Sequence, residues 1–385
     1  MVAGSLQEKK GYYYIVLNLQ DELGKRKPKW IATGLAVKGN KKRAEQMLSE
    51  TRRAYDNPTF IPGGEMLFTE LMNSWLPIIK NNVQLTTYTG YLYTVERRIV
   101  PFFEKHPVKL NQFEPKHLQA YYSYMREDLQ LSANTVIHHH AIIRKALDYA
   151  FKAGFIQSNP ADRVERPKKP DFLVSYYDDV KLFAMFEVMR YDIIELPVLI
   201  AAYYGLRRSE VIGLKWDAID FADKTITIRH SATQITIDGK YTFYTKDILK
   251  TKSSFRTLPL IPTIESALLR AKANQEKCRA VAGRSYNKEY MDYVCVDDLG
   301  NIIKPGLVSH RFGRILENHD LPKIRFHDLR HSCASLLLKN GVSIKEIQEW
   351  LGHSNFSTTA NIYAHLEYSA KVTSAQTIQN ALNPA

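Results

Sequence analysis

Cysteine is scarce in this chain: Cys278, Cys295 and Cys333 are the only three among 385 residues, and no two lie close together in the sequence. Their number and spacing exclude a disulfide framework and a zinc site built from thiolates, and they are typical of a reducing compartment. Long apolar runs are also missing, because the run at 195–206 is shorter than the roughly 18 residues that a membrane-spanning helix requires. The N terminus meets charged residues before an apolar stretch forms, so we expect no signal peptide.

Patterns that bind nucleotides or magnesium are absent too. The sequence has no G-x-x-x-x-G-K-[ST] phosphate loop and no cluster of carboxylates suited to magnesium. Basic residues outnumber acidic ones, 53 against 40, which gives a net charge of +13, and the chain has 23 tyrosines. This balance favours a polyanionic partner, most simply nucleic acid, and the alternative is a basic protein without such a partner. Residues 1–60 carry nearly half of the excess charge, since they hold twelve Lys or Arg and six Asp or Glu, a net charge of +6.

The first domain, predicted over residues 1–62, is a small sheet backed by one helix. The stretches "GYYYIVLNL" (11–19) and "KWIATGL" (29–35) are rich in aromatic and β-branched residues, which favour strands, and a turn with Gly and Pro joins them. The stretch "NKKRAEQMLSETRRAYDN" (40–57) has a helical pattern that Pro58 ends. Four aromatic residues are predicted to lie in the core of this domain rather than on a base-stacking surface: Tyr12, Tyr13, Tyr14 and Trp30.

A second, all-helical domain is predicted over residues 66–160, because apolar residues recur there at spacings of three and four. The helical patterns cover residues 67–82, 86–106, 114–128 and 132–155. Ser132 or Asn134 can cap the last helix, and its "HHH" (138–140) is predicted to be solvated or to face DNA rather than to bind a metal. A polar, proline-bearing stretch follows and predicts an interdomain linker over 161–172.

The third domain, predicted over residues 173–385, combines helices with a small antiparallel sheet. Helical patterns cover 177–190, 192–216, 262–282, 305–318, 327–340 and 343–351. Strand patterns cover 224–230, 240–246 and 256–261, with a short further strand at 293–298. The tail has apolar residues at Val372, Ile378 and Leu382, which predicts a short amphipathic helix, the alternative being a frayed terminus.

The stretch "RFHDLRHS" (325–332) poses the first chemical question. On a helix, His327 and His331 share a face and could form half of a metal site. A zinc protease needs Glu directly after the first His as general base, whereas this chain has Asp328, and Arg330 between the histidines opposes a cation. The alternative is a phosphate site, because His327 and Arg330 also share a face and a guanidinium grips two phosphate oxygens at once.

Three further stretches support the phosphate interpretation. In "YYGLRRSEVIGLKW", Arg207 follows a Gly-Leu turn where a long apolar helix ends, so its side chain can project into a cleft. In "KTKSSFRTLPL", Lys252 lies in a Ser/Thr-rich turn before a strand. In "WLGHSNFSTTANIYAH", His353 follows a Leu-Gly turn and Tyr363 lies ten residues later. Each of the four stretches alone is weak evidence. The four together, in this order, are specific evidence for the family that they resemble.

These four stretches, which fall within about 190–368, resemble the successive motifs of the tyrosine recombinases, the phage-type integrase family. The whole plan resembles the three-domain integrases of temperate phages and conjugative transposons. The resemblance implies a multidomain fold: a small arm-binding domain of sheet plus helix, a helical core-binding bundle of the SAM-like kind, and a mainly helical α+β catalytic domain. The segment 230–248 is longer than in the family, which leaves the strand pairing there open.

The resemblance also implies a reaction: a tyrosine attacks a DNA backbone phosphate and leaves a 3′-phosphotyrosyl link and a free 5′-hydroxyl. It makes Tyr363 the nucleophile, His327 the general base and Lys252 the general acid. It makes Arg207 and Arg330 the clamp on the non-bridging oxygens. It makes His353 a hydrogen-bond donor to the phosphate. No cofactor or metal is required, since the phosphotyrosyl link conserves the bond energy for religation.

Several alternatives stay open on the sequence. Lys246 and Lys250 compete with Lys252, which "TKSS" favours, and Tyr368 competes with Tyr363, which the spacing from His353 favours. His331 is predicted to be structural or to contact a catalytic group. The rival functions are a topoisomerase-like or resolvase-like strand transferase and a DNA-binding relative without activity.

The partners follow from the resemblance. It implies double-stranded DNA with core-type and arm-type sites, and a homotetramer on that DNA in which each tail packs on a neighbouring protomer. It does not decide whether accessory DNA-bending or excision proteins take part. It predicts a location on DNA in the bacterial cytoplasm, at the nucleoid, and no membrane partner.

Overall fold

The structure, a computed structural model, describes residues 3–20, 26–56, 65–169, 175–237, 239–246 and 255–352, together with Ala375, Ile378, Gln379 and Leu382 of the tail. The chain divides into two compact units, Met1–Asp171 and Phe172–Ala385. The break falls at the end of the predicted linker. The further division of the first unit near residue 62 stays a prediction.

The first unit begins with a three-stranded antiparallel sheet. Strands β1 (Ala3–Lys9), β2 (Tyr12–Gln20) and β3 (Arg26–Ala36) lie in the order β1-β2-β3, and helix α1 (Lys41–Asp56) packs on them. β2 and β3 were predicted, whereas β1 was not. Its sequence "AGSLQEK" has little β-propensity, and pairing with β2 in the register Ala3 to Asn18 makes it a strand.

The aromatic residues of this sheet do not all lie in its core. Tyr13 of β2 is buried, as predicted. Tyr12 is 49% exposed and Trp30 is 51% exposed, so the prediction that they lie in the core is wrong. Side chains alternate across a strand, and Ile15 and Leu17 fill the face that Tyr13 shares. That face packs on α1, where Ala44 is buried.

Four helical segments follow, as predicted. They are α2 (Phe68–Lys80), α3 (Leu85–Thr94) continued by a π-turn (Val95–Ile99) into α4 (Val100–Lys105), α5 (Pro115–Glu127) and α6 (Ala133–Lys152). The Ser132 hydroxyl accepts a hydrogen bond from Thr135 N and caps α6, so the Ser132 alternative is confirmed. Trp75, Tyr121 and Leu147 are buried among the apolar residues that these helices share.

The "HHH" of α6 is mostly a core feature, which corrects the prediction of a solvated or DNA-facing stretch. His138 is exposed, but His139 and His140 are buried. Nδ1 of His139 lies 2.7 Å from the Tyr121 hydroxyl, and Nδ1 of His140 lies 2.7 Å from the Tyr122 hydroxyl. Burial lowers the pKa of His139 to about 4, and so this ring is neutral at physiological pH.

The second unit opens with three helices. They are α7 (Asp179–Val188), α8 (Glu195–Tyr204) and α9 (Arg208–Ile212). The single helix predicted over 192–216 is therefore wrong, since the chain breaks between α8 and α9. Gly205 ends α8 with φ +61°, and an added Cβ there would lie 2.3 Å from Leu351 Cδ2. The left-handed backbone favours glycine at this position, and any larger residue would displace the Leu351 side chain.

The strands of this unit form two sheets rather than the one predicted. Strands β4 (Ile219–Asp220), β5 (Thr225–Ile228) and β8 (Arg256–Pro259) form one in the order β4-β5-β8. Strands β6 (Ser231–Ile237) and β7 (Lys240–Lys246) form a separate hairpin. Residues 293–298, predicted as a strand, make only isolated bridges, Tyr293 with Lys215 and Val296 with Ile302.

Four further helices lie in the described part of this unit. They are α10 (Pro262–Ala282), α11 (Pro305–Asn318), α12 (Asp328–Lys339) and α13 (Ile344–Leu351), close to the predicted positions. In the tail, Ala375, Ile378, Gln379 and Leu382 are helical, and Ile378 and Leu382 are exposed. Over the described part of the chain, no helix has the length and apolar character to cross a membrane.

Candidate active site

Arg207 stands at the junction of α8 and α9. Its backbone is extended, with φ −67° and ψ 148°, and it is the residue immediately before α9. Its side chain is 36% exposed, and its Nη1 donates to Oε1 of Glu210 at 2.7 Å. The break in the helix at Gly205 thus turns the guanidinium toward a cleft, as predicted, while a carboxylate fixes its orientation.

Glu210 is a residue of the site that sequence reasoning missed. Its carboxylate is buried, with Oε1 on Arg207 and Oε2 at 3.3 Å from Nη2 of Arg256. Burial raises the pKa of this carboxyl, but Arg256 and Arg207 outweigh burial and hold the pKa below its ordinary value. The available signal was an acid three residues after Arg207 inside the otherwise apolar "EVIGL", a position where a buried charge requires a partner.

Arg330 lies beneath the site and is only 2% exposed. Its Nη1 donates to the carbonyl of Gly205, the residue that ends α8, and its Nη2 donates to the carbonyl of Leu351, the last of α13, both at 2.7 Å. Two helix C termini therefore converge on one guanidinium, and their negative ends favour a cation there. Burial lowers the pKa of Arg330, and the neighbouring Arg207 lowers it further.

His327 directly precedes α12, and its ring lies edge-on to that of His331, with the centroids 5.6 Å apart. Burial lowers the pKa of His327 to about 4, and His331 adds to the shift. The ring is therefore uncharged near neutral pH and can accept a proton. Nδ1 of His331 is buried and has no hydrogen-bond partner among the residues that the structure describes.

The metal interpretation of "HDLRH" does not fit this geometry. The carboxylate of Asp328, which would act as general base beside a metal, instead accepts from Arg325 N at 2.8 Å and from Arg325 Nη2 at 2.8 Å. It therefore ties down the start of α12. Within the described residues, no group of three or more His, Cys, Asp or Glu side chains is placed to hold a metal ion.

A cleft of about 520 Å³ brings two of the predicted residues together. Arg207 and His327 line it, with Thr233 and Tyr241 of the β6–β7 hairpin on one side and Pro305 at the start of α11. Arg330 does not line the cleft, but it binds the Leu351 carbonyl, next to the Gly352 carbonyl that Arg207 binds. The cleft presents an exposed cation and a neutral imidazole, a combination that can bind a phosphate and accept a proton.

Of the six predicted site residues, the structure describes three: Arg207, His327 and Arg330. The other three, Lys252, His353 and Tyr363, lie outside the described residues, as do the competitors Lys250 and Tyr368. Their roles remain predictions. The described stretch 255–352 ends at Gly352, one residue before His353, at the C-terminal end of α13.

Comparison with known proteins identifies the family. The profile described as "Phage integrase family" matches residues 182–370, and that described as "Phage integrase, N-terminal SAM-like domain" matches residues 67–126. A tyrosine recombinase XerC-like protein of Caldanaerobacter subterraneus subsp. tengcongensis is 27% identical over 96% of each chain. The ICEBs1 integrase of Bacillus subtilis is 23% identical over 86% of this chain and 87% of its own.

Solved structures share the fold. The Tn1549 transposon integrase in complex with a circular intermediate DNA has a TM-score of 0.65 at 20% identity and covers 81% of this chain and 99% of its own. A lambda integrase dimer bound to a COC′ core site has a TM-score of 0.58 at 16% identity over 93% of each chain. With Arg207 and His327 at one cleft, and with both family profiles in their expected order, the chain belongs to the phage integrase family, the tyrosine recombinases.

Proposed function

We propose that this chain is the integrase of a mobile element, which cuts and rejoins DNA at specific sites through a 3′-phosphotyrosyl intermediate. The observation that carries the proposal is the cleft that Arg207 and His327 line, together with the buried Arg330, which binds the Leu351 carbonyl next to the Gly352 carbonyl that Arg207 binds. These residues come from segments more than a hundred positions apart in the sequence. Folding unites them with the charge and protonation state that phosphoryl transfer to a tyrosine requires.

The proposed reaction assigns one role to each residue. The phenolic oxygen of Tyr363 attacks the scissile phosphorus while His327, neutral near pH 7, accepts the phenolic proton. Arg207 and Arg330 stabilise the charge that grows on the non-bridging oxygens. The bond to the 5′ oxygen breaks, and Lys252 supplies the proton to that oxygen, while His353 donates a hydrogen bond to the phosphate. Reversal with the 5′-hydroxyl of another strand rejoins the DNA.

The relatives support the assignment to a mobile element. They include the ICEBs1 integrase, which aligns over most of both chains, and transposases from Tn916 and Tn1545. A lambda integrase tetramer bound to a Holliday junction shares the fold. We propose that this chain likewise acts as a homotetramer on double-stranded DNA in the bacterial cytoplasm, at the nucleoid. Accessory DNA-bending or excision proteins are proposed as further partners.

The test uses junction DNA, a duplex that spans the joined ends of the element carrying the gene and has a nick beside the cleavage position. The wild-type chain is expected to form an adduct with it that resists SDS, and to do so in EDTA, because the proposed steps use only side chains. Recombination between two junction-bearing plasmids is the second readout. Relaxation of supercoils without exchange of DNA segments would indicate a topoisomerase, and binding without an adduct would indicate an inactive relative.

The three-domain plan is also part of the proposal. We propose an arm-type DNA-binding domain over 1–62, a core-binding domain over 66–160, a linker over 161–172 and a catalytic domain over 173–385. The net charge of +6 on residues 1–60 supports the first assignment, together with the exposed Tyr12 and Trp30 on its sheet. Nζ of Lys9 lies 5.6 Å from the ring centre of Trp30, so that cation and aromatic surface adjoin.

Deletion of residues 1–64 is expected to weaken the salt dependence of binding to element-end DNA. Each phosphate that a basic residue neutralises releases counterions, so the slope of log affinity against log salt should fall by about 0.9 for every phosphate that the deleted segment neutralised. The truncated chain should still form the adduct with junction DNA, because every predicted catalytic residue follows residue 200. Titrations across a salt series measure both slopes. Equal slopes and equal affinities would contradict the arm-binding assignment and leave the catalytic one intact.

A further inference from the structure

Three arginines meet the C-terminal turn of α13. The carbonyl of Trp350 accepts from Nε of Arg256 at 2.8 Å, and that of Leu351 accepts from Arg330 at 2.7 Å. The carbonyl of Gly352 accepts from Nη2 of Arg207 at 3.3 Å. Three consecutive carbonyls, which a helix end leaves without intrahelical partners, thus receive one guanidinium each. Two of these arginines belong to the predicted phosphate clamp, and Arg256 does not.

Arg256 is the first residue of β8 and is buried. Besides the Trp350 carbonyl, it binds Oε2 of Glu210 through Nη2 at 3.3 Å. The opposite oxygen of that carboxylate holds Nη1 of Arg207. One continuous chain of hydrogen bonds therefore runs from α13 through Arg256 and Glu210 to the exposed guanidinium in the cleft.

Stability alone does not account for this arrangement. Bringing a guanidinium and a carboxylate out of water carries a large desolvation penalty, and apolar residues of similar volume often replace buried ion pairs without loss of stability. Burial indeed lowers the pKa of Arg256, although Glu210 partly offsets that effect. What an apolar replacement cannot provide is a fixed position for the Glu210 carboxylate.

Building on the proposed function, we propose that Arg256 is a positioning residue for the recombination reaction: it fixes the Glu210 carboxylate and the C-terminal turn of α13, and thereby keeps the Arg207 guanidinium aimed into the cleft. Arg256 does not touch the DNA phosphate itself. A misplacement of about 1 Å in a clamp group can slow a reaction by about 100-fold. The loss therefore appears in the rate of adduct formation rather than in the affinity for DNA.

The proposal also predicts a change in the pH profile. The groups that face Glu210 are Arg207 beside α9, Arg256 on β8 and Arg330 on α12, and Cys333 of α12 adjoins the two buried arginines. Their combined charge holds the pKa of Glu210 low, so its hold on Arg207 persists until the pH falls through that low value. Without Arg256, the largest of the charges that offset burial is lost, and the pKa of Glu210 rises. The hold is then lost at a higher pH.

The experiment compares Arg256→Met and Arg256→Lys with the wild type in adduct formation on junction DNA, from acid to neutral pH. The Met variant is expected to react about 10- to 100-fold more slowly at neutral pH with nearly unchanged DNA affinity. Its rate should also fall at a higher pH than that of the wild type. The Lys variant keeps the cation but cannot reach both Glu210 and the Trp350 carbonyl, so its acid limb should match the wild type while its rate stays reduced.

Arg311→Met is the matched control. Nε of Arg311 binds both oxygens of Asp192, at 2.7 and 2.9 Å, so the variant removes an ion pair of the same unit that belongs to no part of the predicted site. It should leave both rate and pH profile unchanged. If the Met variant does not fold, Arg256→Lys is combined with Glu210→Gln, and the double variant should react no more slowly than Glu210→Gln alone.

Two outcomes overturn the inference while the proposed function stands. One is a folded Arg256→Met variant with the rate and acid limb of the wild type, and the other is additive losses in the combined variant. A wild-type chain that forms no adduct overturns the proposed function, and the inference with it.

Discussion

Replacement of Tyr363 by phenylalanine is expected to abolish the covalent adduct with junction DNA while DNA binding stays nearly unchanged. Only a hydroxyl is removed, so the cationic cleft around Arg207 and His327 retains its shape and charge. Without the phenolic oxygen there is no nucleophile to form the phosphotyrosyl link. The measurements are SDS-resistant adduct on a nicked substrate and a binding titration at one fixed salt concentration.

Tyr368→Phe is the control for this prediction. Both tyrosines lie in the same segment, five residues apart, and the spacing from His353 favours Tyr363. Tyr368→Phe should therefore keep the adduct. The opposite pair of results, an adduct with Tyr363→Phe and none with Tyr368→Phe, would transfer the role of nucleophile to Tyr368.

Replacement of Arg330 is expected to affect both catalysis and stability. In Arg330→Met, the carbonyls of Gly205 and Leu351 lose their donor inside the protein, at about 1–3 kcal/mol for each group left unsatisfied. In a unit of this size, each kcal/mol lowers Tm by about 2–4 °C. Loss of one charge-stabilising donor should also slow adduct formation by about 100- to 1000-fold.

The Lys variant at the same position separates the two effects. Arg330→Lys retains a cation between the two helix ends, so most of the Tm should return. A single ammonium cannot serve both carbonyls and a phosphate as the guanidinium fork does, so the rate should stay low. The exposed Arg284→Met serves as control for charge removal and should alter neither Tm nor rate. A wild-type rate in Arg330→Met would remove Arg330 from the phosphate clamp.

Local pattern in the sequence was sufficient for most helices and for the identity of the motif residues. Apolar spacing of three and four predicted α2, α5, α6 and α10 nearly to the residue, because burial of one helix face depends on periodicity that a single segment carries. The four recombinase motifs could also be recognised from the sequence, because each is a short continuous stretch.

Tertiary structure decided which strands pair and which side chains are buried. β1 has little strand propensity and exists because β2 offers it an edge, and β6 and β7 pair with each other instead of joining β4, β5 and β8. His139 and His140 look polar in the sequence, yet they are buried because Tyr121 and Tyr122, from another helix, supply their hydrogen bonds. Such partners lie far away in sequence, so no local pattern predicts them.

The same division holds within the site. The sequence by itself predicted that Arg207, His327 and Arg330 belong to a phosphate site, because the order of the motifs along the chain matches that of the family. Only the tertiary structure decided what fixes them. Gly205 ends α8 in a left-handed turn, Glu210 and Arg256 become a buried ion pair, and the C-terminal carbonyls of α13 receive three guanidiniums. A buried charge is stable only beside partners. Here folding brings those partners from distant segments of the chain, so only the tertiary structure identifies them.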